Sequence, residues 1–207
     1  MTTERFEVAD VSVSRETFSA LEQFAELVRR WNPAINLVSK STIPDLWNRH
    51  IVDSAQLFSH APPDSKLWLD IGSGGGFPGI VIAVLAKELQ PQLKVALVES
   101  DLRKATFLRE ACRTLGFNAQ VHSARIESLP PAQADVLSAR ALAPLPALLA
   151  YADLHLNTAG IALFPKGAQY DSELSEARRA YLFDVKLFSS LLEPTAAVLE
   201  IRNIGRA

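Results

Sequence analysis

A cluster of glycines constrains the fold of this chain more than any other feature. Five of the nine glycines fall within residues 72–79. A short apolar run ending in Asp70 precedes them, and a second apolar run over 80–86 follows. Glycine allows positive φ and lets a ligand approach the backbone without meeting a Cβ atom. The stretch therefore predicts a buried strand, a ligand-binding turn and a buried helix whose first N–H groups hold the polar part of a nucleotide-like ligand.

The spacing of these glycines leaves two ligand classes open. Residues 74–79 fit the dinucleotide fingerprint G-x-G-x-x-G, with Glu99 at the distance expected of a ribose-binding acid. A phosphate-binding P-loop is excluded because residues 80–81 are Ile-Val, where lysine and a hydroxyl residue are needed. Asp70 favours a ligand with an ammonium group, because its carboxylate would repel a pyrophosphate. Residues 70–76 (D-x-G-x-G-x-G) resemble the cofactor loop of the Rossmann-like methyltransferases, which implies S-adenosylmethionine.

Strand and helix patterns alternate along the chain from the glycine loop onward. Strands are expected at 67–70, 94–99, 119–122, 135–138, 160–164, 185–188 and 197–201. Helices are expected at 80–86, 101–115, 145–156 and 170–181. The pattern predicts an α/β fold with a seven-stranded, mostly parallel sheet, helices on both faces and a closing antiparallel hairpin. We expect this domain at 64–207, preceded at 1–63 by an N-terminal helical extension packed on the same domain.

Two helices are expected within the extension. The first covers 14–31, with Ser14 as its cap and the following Asn-Pro pair as its end. The second covers about 44–59 and contains His50 and Asp53. Their i, i+3 spacing predicts a pair that holds the extension against the sheet.

Composition limits the class of protein. Hydrophobic residues make up 48% of the chain and charged residues 21%, without an apolar run of membrane-spanning length or a signal-peptide pattern. The single cysteine, Cys112, excludes an internal disulfide, and the four histidines show no metal-ligand spacing. We therefore expect a cytoplasmic monomer without a metal or a membrane contact. The net charge of −2 means that a nucleic-acid partner would need a local basic patch.

The predicted sheet brings several polar residues to one edge. Ligands of open parallel sheets bind beyond the carboxyl ends of the strands, where the strand order reverses. We expect a crevice there, in which Glu99 accepts hydrogen bonds from ribose hydroxyls. Three basic residues at strand ends are candidates for positioning the substrate or the cofactor, namely Arg125, Arg140 and Lys166.

Five stretches make a family resemblance specific. They cover residues 31–37, 49–54, 70–79, 138–141 and 166–167. In this order they resemble the bacterial small-subunit ribosomal RNA methyltransferase G family, also called glucose-inhibited division protein B. The resemblance implies a Rossmann-like class I methyltransferase fold. It also implies S-adenosylmethionine-dependent methylation of guanine N7 in 16S ribosomal RNA near the decoding centre, within the small subunit or an assembly intermediate.

The resemblance also implies cofactor contacts at named positions. They would be made by Gly72, Phe77, Ile126, Glu127 and Arg140. The pattern of the glycine loop adds Asp70, Gly74, Gly76 and Glu99. Guanine N7 has a lone pair and no proton, so its methylation requires no general base, and we expect catalysis by positioning without a catalytic residue. We expect Cys112 to be a packing residue.

The RNA-binding surface has a weaker signature. Arg103, Lys104 and Arg109 lie on one predicted helix after Glu99 and are candidate phosphate contacts. Two other functions remain open at this point. An oxidoreductase using a nicotinamide dinucleotide would need a second, substrate-binding lobe, for which the chain is short. A non-enzymatic RNA-binding module would not need Asp70 or Glu99.

Overall fold

A computed structural model describes residues 4–207, so the first three residues of the predicted extension lie outside the described residues. Its strands are β1 (Arg5–Val8), β2 (Val11–Ser14), β3 (Leu67–Ile71), β4 (Lys94–Val98), β5 (Gln120–His122), β6 (Ala134–Ala139), β7 (Leu156–Lys166), β8 (Tyr181–Ser189) and β9 (Ala197–Arg206). Its α-helices are α1 (Arg15–Ile35), α2 (Asp53–Ala55), α3 (Gly79–Leu89), α4 (Leu102–Leu115), α5 (Leu145–His155) and α6 (Tyr170–Ala177). Within 4–207, none of these helices is long and apolar enough to cross a membrane.

The central sheet has seven strands in the order β5-β4-β3-β6-β7-β9-β8. The five strands from β5 to β7 are parallel, while β9 runs antiparallel to both β7 and β8. The predicted α/β fold and the closing hairpin are therefore confirmed. The chain builds outward from β3 to β5 and then returns to place β6 on the other side of β3. This reversal opens a crevice beside the end of β3, where the glycine loop begins.

Helices cover both faces of the sheet. One apolar layer contains α1, α3 and α4 with the start of the chain, and the other contains α5 and α6. Helix α3 is buried over Gly79–Ala86 because it packs between the sheet and the extension. A helix enclosed in this way must be apolar on all sides, which explains the unbroken apolar run after the glycines.

Helix α1 ends later than predicted. Ser14 caps it as expected, since its hydroxyl accepts a hydrogen bond from the Thr17 N–H at 3.2 Å. The helix continues through Pro33 to Ile35 and ends at Asn36, which has φ of 47°. Proline lacks an N–H and so removes one intrahelical hydrogen bond, and the last turn tolerates that loss. The expected stop at the Asn-Pro pair was wrong by about one turn.

The expected second helix is broken into several pieces. A 3₁₀ turn spans Lys40–Asp45, a π-helical segment spans Trp47–Val52, and α2 and a further 3₁₀ turn follow. Pro44 lies in the first turn and interrupts a continuous α-helix. The π segment buries both His50 and Ile51. Wide turns of this kind are frequent at functional sites.

The β1–β2 hairpin was not predicted. Its strands have four residues each and pair antiparallel from Arg5 with Ser14 to Val8 with Val11. The alternation of valine and serine over 11–14 was the available signal, but four residues are too few to separate it from a loop. The first sixty residues are therefore not purely helical.

Candidate cofactor and substrate site

The glycine loop connects β3 to α3 with three residues in the left-handed region. Gly72, Gly74 and Gly76 have φ of 64°, 54° and 87°. A Cβ atom on Gly74 would meet only the Gly72 carbonyl oxygen, at 3.6 Å, so this position is the open side of the loop. A Cβ atom on Gly79 would lie 2.3 Å from Leu97 Cδ2, which shows that this glycine allows α3 to pack closely on the sheet. The loop thus offers an exposed backbone at one position and tight packing at another.

Asp70 lies inside the protein below this loop. Its side chain is fully buried, Oδ1 accepts a hydrogen bond from Ser138 Oγ at 2.7 Å, and Oδ2 accepts one from the Gly79 N–H at 3.2 Å. Ser138 Oγ in turn accepts one from Trp68 Nε1 at 2.8 Å. Burial raises the pKa of Asp70 to about 6, although these hydrogen bonds favour the charged form.

This position revises the role predicted for Asp70. We expected its carboxylate to meet the ammonium group of a cofactor directly, but both of its oxygens are bound to the protein interior. The carboxylate instead satisfies the first N–H of α3, a group that we expected to hold the ligand. Asp70 therefore holds the end of the glycine loop in place through its hydrogen bond with Gly79.

Glu99 fixes the loop from the opposite side. Its Oε2 accepts a hydrogen bond from the Gly74 N–H at 2.8 Å, and its Oε1 accepts one from the Asp101 N–H at 2.7 Å. The side chain is nearly buried at the end of β4. A carboxylate has about four acceptor sites, so capacity remains for ribose hydroxyls. With the open backbone at Gly74, these groups fit a cofactor of the S-adenosylmethionine type.

The turn after β5 lies at the same edge of the sheet. Ile126 is buried in the core, whereas Glu127 is exposed and accepts a hydrogen bond from Tyr151 Oη at 2.6 Å. The side chain of Arg125 is exposed. Of the three basic candidates, Arg125 is the one that does not line the cavity described below.

Arg140 joins the extension to the sheet. Its Nη1 donates to the Arg49 carbonyl oxygen and to Asp53 Oδ2, both at 3.3 Å, and its Nη2 donates to His50 Nδ1 at 2.8 Å. The guanidinium carbon lies 5.2 Å from the centre of the Phe77 ring, which belongs to the glycine loop. The predicted pairing of His50 with Asp53 is thus replaced by the binding of both residues to Arg140.

The hydrogen bonds of His50 define its protonation state. Arginine can only donate, so Nδ1 must accept, and Nε2 carries the proton that it shares with Thr42 Oγ1 at 2.7 Å. Thr42 Oγ1 donates onward to the Ser39 carbonyl oxygen at 2.8 Å. Burial and the charges of Arg140 and Arg49 lower the pKa of His50 to about 3. His50 is therefore neutral at physiological pH and serves as an acceptor for Arg140.

Phe77 connects this network to the core. Its ring is buried, with its centre 5.0 Å from the ring of Phe24 in α1 and 5.0 Å from the ring of His50. The side chain at this predicted cofactor position therefore points inward.

A cavity of about 880 Å³ lies beyond the ends of β6 and β7. Its walls include Arg140 and Lys166 from the sheet and His50 and Asp53 from the extension, together with the loop between β8 and β9. The sheet thus brings two of the three basic candidates to one chamber. Lys166 Nζ lies 2.6 Å from Glu173 Oε2, an acid on α6 for which the sequence carried no signal.

The cavity adjoins the glycine loop through Leu142. This residue lines the cavity, and its Cδ1 would lie 2.6 Å from a Cβ atom placed on Gly72. Gln56 links the extension to the far wall, since its Oε1 accepts a hydrogen bond from the Leu191 N–H at 3.1 Å. A ligand in the cavity would therefore lie next to a ligand on the loop, as two reacting molecules require.

The candidate RNA contacts lie on α4, away from this cavity. Arg103 is exposed and lies 3.5 Å from Asp101, which caps the same helix. Arg109 donates to the Val121 carbonyl oxygen at 3.4 Å, more than a turn further along the helix than Lys104. None of the three residues lines the cavity.

Cys112 does not have the surroundings of a reactive thiol. It is buried, and this burial raises the pKa of its thiol to about 11, which makes it a poor nucleophile. Within residues 4–207, no group of three histidine, cysteine or acidic side chains could hold a metal ion.

Comparison with known proteins identifies close relatives. A family model described as rRNA small subunit methyltransferase G matches residues 17–197. A ribosomal RNA small subunit methyltransferase G of Cereibacter sphaeroides is 51% identical over 198 residues, covering 96% of both chains. The protein of the same name from Ruegeria pomeroyi is 52% identical over 196 residues, covering 95% of this chain and 96% of its own.

Solved structures share the fold at lower identity. A putative O-methyltransferase from Klebsiella pneumoniae has a TM-score of 0.57 at 17% identity and covers 89% of this chain and 90% of its own. A TehB-like SAM-dependent methyltransferase from Corynebacterium glutamicum has a TM-score of 0.55 at 18% identity, with 91% and 99% covered. Similarity at this level shows the fold alone.

Proposed function

The chain belongs to the rRNA small subunit methyltransferase G family, and from this membership we propose that it methylates N7 of a guanine in 16S ribosomal RNA. The methyl donor is S-adenosylmethionine. The observation that carries the proposal is the match over nearly the whole chain to relatives about half identical to it. Family membership favours methyl transfer over a dinucleotide-dependent oxidoreductase and over a non-enzymatic RNA-binding module.

The cofactor would occupy the crevice over β3, β4 and β5. We assign Gly72, Gly74 and Gly76 to the loop that receives it, and Glu99 to the ribose hydroxyls. Asp70 is a positioning residue, because its buried carboxylate holds the start of α3 below the loop. Further candidate contacts are the backbone of Phe77 and of Ile126, whose side chains are buried, and the side chains of Glu127 and Arg140.

The cofactor supplies an electrophilic methyl group whose transfer to N7 forms a C–N bond, breaks a C–S bond and leaves S-adenosylhomocysteine. The positive charge moves from sulfur to the base, and no proton is transferred. The protein therefore needs no general base, which agrees with the pKa of about 3 of His50, whose Nδ1 already accepts from Arg140, and with the inert Cys112. Its contribution is alignment of the two reactants, an effect that can supply roughly 7–11 kcal/mol.

The proposed function also implies a partner and a cellular setting. We propose that the monomer acts on 16S RNA within the small ribosomal subunit or an assembly intermediate, in the cytoplasm. The extension at 1–63 would form part of the same folded unit as 64–207. Arg140 supports this view because its hydrogen bonds connect the two parts.

The direct test is methylation with a radiolabelled methyl donor. Naked 16S RNA and small ribosomal subunits would be compared, and the modified base identified by nuclease digestion and mass spectrometry. We expect 7-methylguanosine as the labelled nucleoside. RNA with 7-deazaguanosine at the labelled position serves as the control, because it lacks the N7 atom. A different labelled nucleoside, or tight binding of nicotinamide dinucleotides without binding of S-adenosylhomocysteine, would refute the proposal.

A further inference from the structure

The Lys166–Glu173 pair differs from the other ion pair in the cavity. In the Arg140–Asp53 pair both carboxylate oxygens accept a hydrogen bond, Oδ2 from Arg140 and Oδ1 from Gln56 Nε2 at 2.9 Å, and Arg140 also binds His50. Lys166 Nζ donates to Glu173 Oε2 at 2.6 Å and lies 3.4 Å from the Ala143 carbonyl oxygen, which leaves one of its three protons unassigned.

Glu173 retains an acceptor next to this donor. Its Oε2 also accepts the Leu145 N–H at 3.2 Å, but no group within residues 4–207 donates to its Oε1. The Lys166 side chain is 11% exposed and that of Glu173 is 29% exposed, and both residues line the cavity. The wall therefore presents one free donor and one free acceptor side by side in a partly desolvated place. Hydrogen bonds are stronger in such a place, so a ligand would bind well if it places an acceptor opposite Lys166 and a donor opposite Glu173.

We propose that Lys166 and Glu173 recognise the target base as guanine by reading its O6, N1 and N2 groups. Lys166 donates to O6, and Glu173 Oε1 accepts from N1–H and the N2 amino group. Adenine carries an amino group in place of O6 and an unprotonated N1, so it would place donor against donor and acceptor against acceptor. This inference rests on the proposed function and names the residues that select its substrate base.

Position and charge both support this assignment. The strand order β3-β6-β7 puts Lys166 two strands from the glycine loop, roughly 10 Å away at about 4.8 Å per strand. A base flipped out of its RNA strand can span such a distance, and its volume fits a cavity of about 880 Å³. N7 methylation makes the base cationic, and a lone lysine beside O6 would oppose that charge. Pairing with Glu173 makes the wall neutral.

The test compares guanosine with inosine at the target position of ligated 16S RNA reassembled into subunits. Inosine keeps O6 and N1–H but lacks the N2 amino group. For the wild type we expect kcat/KM to be about 10-fold or more higher for guanosine, the size of a lost charge-assisted hydrogen bond. In Glu173→Gln, which retains an acceptor for the Leu145 N–H, we expect this ratio to fall towards one, while affinity for S-adenosylhomocysteine stays unchanged.

Matched variants separate recognition from structure. Asp171→Asn removes an exposed acid from the first turn of the same helix and should leave the ratio as in the wild type. Lys166→Met should raise KM for the RNA about 10-fold or more with unchanged cofactor affinity. An equal loss for guanosine and inosine in Glu173→Gln would overturn this inference and leave the proposed function intact. Failure of the wild type to methylate guanosine would overturn both.

Discussion

Replacing Asp70 by asparagine tests whether its buried carboxylate sets the stability of the cofactor loop. Burial raises its pKa to about 6 from an ordinary value of 3.8. A native carboxyl with a raised pKa binds more protons than the unfolded chain between these two values, so stability falls as pH rises through this window and then levels off. At 1.36 kcal/mol per pKa unit the full loss is about 3 kcal/mol, of which about 2 kcal/mol falls between pH 4.5 and 7.5.

The measurement is urea unfolding of both proteins across that pH range. The asparagine side chain cannot ionise, so the unfolding free energy of Asp70→Asn relative to wild type should rise by about 2 kcal/mol from pH 4.5 to 7.5. Other titrating groups are common to both proteins and cancel in the difference. Asparagine also replaces one of the two acceptor oxygens, which face the Gly79 N–H and Ser138 Oγ, by an N–H donor, which adds a pH-independent cost and should weaken S-adenosylhomocysteine binding in calorimetry. A difference that does not vary with pH would refute the claim that Asp70 titrates inside the core.

Three further variants examine the cofactor loop, the cysteine and the basic helix. Gly74→Val should abolish most S-adenosylmethionine affinity in a folded protein, because φ of 54° and the open backbone both require glycine; retained affinity in calorimetry would count against the loop. Cys112→Ser should keep most methylation activity, since transfer to N7 uses no covalent intermediate; a stable but inactive variant would contradict this. Alanine at Arg103, Lys104 and Arg109 together should reduce the log–log salt dependence of RNA binding by about 0.7 per lost phosphate contact, and an unchanged slope would remove α4 from the RNA surface.

Features with a local signal could be predicted from the sequence. Helix α4 ends at residue 115 as predicted, and Gly116 follows it in the left-handed conformation with φ of 66°, which few other residues adopt at low cost. The predictions of the apolar strands and of the closing hairpin were also correct, because the hydrophobic period and the length of each run identify a strand without knowledge of its neighbours in the fold.

Features that depend on distant partners could not be predicted. The sequence places Asp70 at the end of a strand beside the glycine loop, but its inward orientation depends on Ser138, which lies 68 residues away in the chain. His50 and Asp53 have a spacing that suits a helical pair, and only the fold places Arg140 between them. Glu173 lies on a polar helix where an acid is ordinary, so its proximity to Lys166 has no trace in the sequence.

The hydrogen bonds of Arg140 have a consequence for how the chain can be recombined. The extension supplies three acceptors to the partly buried guanidinium of Arg140, and a chain lacking the extension would leave that charge without them. A chimera that takes its first sixty residues from a relative should therefore fold only if the imported segment offers acceptors at the positions of Arg49, His50 and Asp53 to the host's Arg140. We therefore expect that the two parts cannot be exchanged independently of one another, because the hydrogen bonds of Arg140 cross the boundary between them.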